Sequence, residues 1–225
     1  MSGRARRLAP LTGLAGIGFI IAGLATDRAP TSSWGDARIE HWFAGHGTGG
    51  WLVSAYLMAL GAPLLLVFTG VVGDRVGAAG PGIRSVLFGA GTALAVTVLV
   101  GAGLYAAVPA AITFADAPAP PAAIFRYLLG ASYGVLVMFS AFASALLAFA
   151  TSVAGLRTGA LPRWLAIAGI PLSVLMLANA VLPMAAITAW FLVTSITLTV
   201  RRPIQPEPMR PLPAGKPPIS VTAAP

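Results

Sequence analysis

"WLVSAYLMALGAPLLLVFTGVV", residues 51–72, runs for twenty-two positions without an aspartate, glutamate, lysine or arginine. A helix of about 20 apolar residues spans the hydrocarbon of a bilayer, because lipid offers the backbone no hydrogen-bond partners and a helix closes its own. Working outward, five further runs read the same way, near residues 8–26, 86–108, 124–153, 164–182 and 185–200. The last two are expected to join through a tight turn at Pro183. The whole 225-residue chain is 57% hydrophobic and only 9% charged, with a mean hydropathy of +0.87; soluble domains carry about 25% charge.

The expected fold is therefore all-α: a polytopic integral membrane bundle of six transmembrane helices over residues 1–202, with a short outer interfacial helix. Residues 203–225 are proline-rich and poor in large apolar side chains, so they are expected to form a disordered cytoplasmic tail. The first span also has features of a signal peptide, arginines ahead of the run and small residues at Gly23 and Ala25. Its near-spanning length favours a retained helix.

Net charge is +8, yet its distribution is topogenic. In a six-span threading, Arg4, Arg6, Arg7, Arg75, Arg84, Arg157, Arg163, Arg201, Arg202, Arg210 and Lys216 fall on one side, and only Arg28, Arg38 and Arg126 on the other. Basic residues concentrate in cytoplasmic loops, so both termini are placed in the cytoplasm and no nucleic-acid partner is expected. The chain has no cysteine, which rules out disulfides, thiolate metal sites and cysteine nucleophiles. Thirteen of fourteen basic residues are arginine, and alanine and glycine abound; we read a GC-rich bacterial genome and a plasma (inner) membrane.

Within the spans no charge sits at mid-depth, which argues against an ion-coupled pump. Gly130 and Gly134, followed by Ser140 and Ser144, form small-residue pairs suited to close helix packing. They are expected to pack within the chain, with self-association or another membrane protein as the other partner. Pro63 and Pro171 interrupt the middle span of each half. Matched interruptions occur in inverted-repeat transporters, but simple proline kinks explain them as well. Asn179 is the strongly polar side chain nearest the second proline and a candidate ligand contact.

The segment "DARIEHWFAGHGTGGW", residues 36–51, gathers acids, an arginine and both histidines. Ser33 as N-cap with Asp36 three positions on suggests a capping box and a helix over residues 34–46. At about 100° per residue, Ile39, Trp42, Phe43 and His46 share one face, the pattern of a helix lying in the interface or packed on the bundle mouth. His41 and His46 are five apart, out of register for a zinc pair on one helix. No metal or other cofactor is expected. Glu40, His41 and Asp116 remain as catalytic candidates, and Arg126, Asn179 and His46 as ligand contacts; Arg126 is suited to an anionic headgroup or to a pair with Asp116.

"RLAPLTGLAGIGFIIAGL", the acidic outer helix ending at His46, "LLLVFTG" and "LRTGALPRWLAIAG" resemble a loose class of small six-span membrane proteins of unknown function, a type common in actinobacteria. The resemblance runs to Arg202; it implies a six-helix bundle and no activity. For function, the reading is a non-enzymatic subunit or accessory factor, with two alternatives: a carrier of an apolar or lipid-like solute, and a membrane-surface enzyme using the outer residues.

Overall fold

A computed structural model describes residues 8–27, 29–45, 47–76, 79–177 and 181–200. His46, Asn179 and the tail 203–225 lie outside the described residues. The described chain is all-helical: α1 (Leu11–Ala25), α2 (Asp36–Gly45), α3 (Gly49–Val76), α4 (Pro81–Ala115), α5 (Ala122–Thr158), α6 (Arg163–Leu175) and α7 (Val181–Val200). Three of them, α3, α4 and α5, are long and apolar enough to cross a membrane. The chain is a helical membrane protein.

Proline and glycine punctuate these helices. Pro81 opens α4 behind Gly80, whose φ of 110° suits glycine, while Pro121 and Pro162 directly precede α5 and α6. Gly159, at φ 69°, ends α5 in the left-handed conformation. Pro63 and Pro171 lie inside α3 and α6 without dividing either helix. Pro183 does not make the expected turn. It falls in the first turn of α7, where a missing N–H costs nothing, and α6 has already ended at Leu175.

The helices follow one another around a closed ring. α1 packs along α3, α3 along α4, α4 along α5 and α5 along α6, and α7 returns to lie against α1 as well as α6. Glycine sets the closest approach. A Cβ on Gly61 of α3 would stand 2.6 Å from Ile20 and 2.7 Å from the carbonyl oxygen of Gly16 on α1. A Cβ on Gly23 would meet Met58 at 2.6 Å. Without side chains at these positions the two backbones come nearly into contact, the usual way apolar helices gain dispersion energy in lipid.

Gly130 and Gly134 do not play this part. Cβ atoms there meet nothing within 4 Å, which corrects the expectation that they pack inside the chain. The cause is local: residues 134–139 of α5 are π-helical. The wider turn breaks the spacing that would align Gly130 with Ser140 and Ser144. Gly130 is exposed, whereas both serines are buried.

Two apolar clusters fill the ring. The larger joins α1, α3, α4, α6 and α7 with the later part of α5, and includes Phe68 against Phe191 at 5.3 Å between ring centres. The smaller sits at one end, under α2, and gathers Ile39, Trp42, Trp51, Tyr105 and Phe125. Outward faces carry Phe88, Val100, Phe139, Phe142 and Phe149; an apolar exterior of this extent suits lipid.

Candidate functional site

Polar chemistry concentrates at the end of the bundle that carries α2, where α1 stops and α3 and α5 begin. Asp27 follows α1 by two residues and is half-buried. Its Oδ1 accepts the Tyr105 hydroxyl of α4 and the Ala29 N–H at 2.8 Å, and its Oδ2 accepts the Tyr133 hydroxyl of α5 at 3.2 Å. One carboxylate thereby ties three helices together. Beside it, the Thr26 and Ser54 hydroxyls lie 3.3 Å apart, linking α1 to α3.

Over this knot lies an aromatic lid. Trp51 stands edge-on to Tyr105 at 5.6 Å, to Phe125 at 5.8 Å and to Trp42 at 6.3 Å, and Phe43 meets Phe125 at 5.7 Å. These edge-to-face contacts are the favoured geometry for aromatic quadrupoles. Ile39 and Trp42 of α2 are buried in the lid, as the face analysis expects, while Phe43 is half-buried.

Arg126 holds the lid in place. Its guanidinium pairs with Asp36 at 2.6 Å and donates to the carbonyl oxygens of Trp34 at 2.6 Å and Ser32 at 3.2 Å. The expected alternative partner, Asp116, is not used; it is the exposed, left-handed cap of α4, at φ 49°. A planar fork of donors suits this three-way grip on the loop ahead of α2. The capping box does not form either. α2 begins at Asp36, the Arg38 and Ile39 amides donate to the carbonyl oxygen of Gly35 at 3.0 and 3.1 Å, and the Ser33 hydroxyl meets that of Thr31 at 3.0 Å. Arg38 stacks on Trp34, 4.0 Å above its ring. The loop's charges thus steady its own fold.

Glu40 and His41 are exposed on α2. Glu40 borders a hollow of about 400 Å³ with Phe43, Ala44 and residues 119–121. Among the described residues no hydrogen bond or ion pair joins Glu40, His41 and Asp116, and no three acids or histidines are grouped to hold a metal ion.

Beneath the lid a narrow cavity of about 40 Å³ runs into the bundle between α1, α3, α4, α5 and α7, with Tyr133 among its lining residues. Its wall is apolar apart from Tyr133, Ser140 and Ser144. Ser140 donates to the carbonyl oxygen of Leu136, whereas the buried Ser144 hydroxyl has no partner among the described residues.

The sequence reading missed Asp27, Tyr105 and Tyr133. Asp27 looks like a loop acid at the edge of a span. The available signal was Tyr105, a phenol deep in an apolar run, since a buried hydroxyl in lipid needs an acceptor.

Fold and site together define a helical membrane protein with a capped polar mouth above an apolar interior. No protein-family model, curated protein or solved structure matches this chain.

Proposed function

We propose that the chain is a non-enzymatic subunit or accessory factor of a bacterial plasma membrane, crossing it six times with both termini in the cytoplasm. α1, α6 and α7 complete the spans alongside the three long helices. The engagement of α1 with α3 through Gly16, Gly23 and Gly61 supports a retained first helix. The asymmetry of arginines supports the orientation. The likeness to small six-span proteins of unknown function belongs to the same proposal.

One observation carries the functional reading. Arg126, the charge best placed to hold a ligand at the mouth, is engaged by Asp36 and two loop carbonyl oxygens. The mouth is built as a structural cap, and the protein's broad apolar faces are left to meet lipid or another helix.

The test is gentle extraction of the tagged protein from its native membrane, with mass spectrometry of what co-purifies. A near-stoichiometric membrane protein is the expected result; a preparation holding lipid alone would overturn the subunit reading. Because the chain lacks cysteine, single-cysteine variants report topology directly. Cysteines at Ala37 and Ala119 should react with an impermeant maleimide from outside, and one at Gly159 only after permeabilisation.

The apolar cavity favours a second reading, a carrier of an apolar or lipid-like solute. Flux of such a solute in proteoliposomes would support it.

A further inference from the structure

The unpartnered hydroxyl of Ser144 has a physical cost. A buried donor without an acceptor loses its bonds to water and gains nothing in return, and helical serines normally turn back to the carbonyl four residues earlier. Ser140 and Thr151 do so on the same helix. Ser144 and Ser152, both 0% exposed, do not, and of the two Ser144 lines the cavity.

The cavity's shape complements this. From α5 it is lined by Tyr133, Leu136, Val137, Ser140 and Ser144, positions on both sides of the π-helical turn that span about 16 Å at 1.5 Å per residue. At about 40 Å³ the space is small for side chains so far apart along the helix, and it suits a slender guest. A straight chain suits such a slot better than a ring or a branched group. Met58 and Met184 form part of its wall, and methionine re-packs readily around a guest. At one end Tyr133, 37% exposed, donates to Asp27, which links the slot to the polar mouth.

We infer that this slot binds a single linear aliphatic chain carrying an uncharged hydrogen-bond acceptor, with Ser144 as the donor to that acceptor and the Asp27–Tyr133 hydrogen bond as the link to the polar mouth. The site lies in the cavity that favours the carrier reading and deepens it, though labelling reports binding there whether or not flux occurs; it stands apart from the subunit reading, since a partner protein binds outside the ring and this chain binds within it.

The test uses the full-length protein in lipid nanodiscs and a diazirine-bearing dodecanol as the photoreactive probe. Illumination should mark residues 133–144 of α5, and excess dodecanol should displace the probe where cyclododecanol does not. Ser144→Val should weaken labelling by about fivefold, the worth of one neutral hydrogen bond. Leu136→Trp should fill the slot and abolish it, while Gly130→Trp, on the open face, leaves it intact. If Leu136→Trp fails to fold, the Ser144→Val comparison still decides. Labelling spread over Phe142 and Phe149, equal displacement by the ring alcohol, or an unchanged Ser144→Val would each overturn the inference. Recovery or absence of a partner protein on purification bears on the subunit reading and leaves these outcomes unchanged.

Discussion

Replacing Gly61 by alanine should weaken the junction of α1 and α3, and the same substitution at Gly70 isolates the reason. The added Cβ at Gly61 would lie 2.6 Å from the Ile20 side chain and 2.7 Å from the Gly16 carbonyl oxygen. Ile20 can rotate, but the carbonyl belongs to the backbone, so α1 must retreat by about 0.7 Å to restore ordinary contact. Over-packing of this kind costs about 1–3 kcal/mol. Both glycines lie inside α3, and alanine there gains about 1 kcal/mol in helix propensity. At Gly70 the Cβ meets nothing within 4 Å, so only the gain remains. Subtracting one variant from the other cancels propensity and leaves the steric cost, about 1–3 kcal/mol. Unfolding in mixed micelles by added dodecyl sulfate, followed by tryptophan fluorescence, measures both. Equal stabilities for the two variants would refute the close approach of α1 and α3.

Asp27→Asn and Tyr105→Phe should each destabilise by about 1–3 kcal/mol, since each removes a hydrogen bond to a charged carboxylate. In a double-mutant cycle they should couple by at least about 0.5 kcal/mol, and additivity would show that the bond contributes nothing. Arg126→Gln should speed proteolytic cleavage between residues 27 and 48 with at most about 1 kcal/mol lost globally, since Asp36 is largely exposed and such pairs are screened. Arg126→Lys should restore little, because an ammonium cannot span all three acceptors; full protection by lysine would count against the fork geometry. Gly130→Leu should leave unfolding unchanged within about 0.5 kcal/mol, as the position faces open space. If it also abolishes dimer cross-linking in nanodiscs, Gly130 lies on a self-association face.

The helical architecture was legible because the signal for it is repeated along the chain. Residues 51–72 announce α3 by length and lack of charge alone, and the face of Ile39 and Trp42 was readable from the 100° rotation. Helix ends were less so: α4 continues past the expected end at Val108, through Pro109, to Ala115, because the apolar residues that follow carry nothing that stops a helix before the left-handed turn at Asp116. Pairings across the sequence were least legible. Asp27 meets Tyr105 and Tyr133 at separations of 78 and 106 residues, and no local pattern encodes such contacts. Arg126 was read as a partner for an anionic headgroup or for Asp116, whereas it pairs with Asp36, and the sequence offers both carboxylates alike. Only the packing of α2 against the start of α5 chooses between them.

The π-helical turn at residues 134–139 gives α5 two phases. Before it, Ala122, Phe125 and Leu129 face the aromatic cluster; beyond it, the buried positions from Ser140 to Gly155 serve the larger core. A regular helix would carry one continuous stripe through both clusters, and the extra residue lets a single rod present a different side to each. Removing one residue from this turn would rotate everything after it by about 100° relative to what precedes. Ser144 would then swing out of the slot while every side chain kept its helical conformation. Chain length across these six positions is therefore as strict a requirement as the identity of any residue in them.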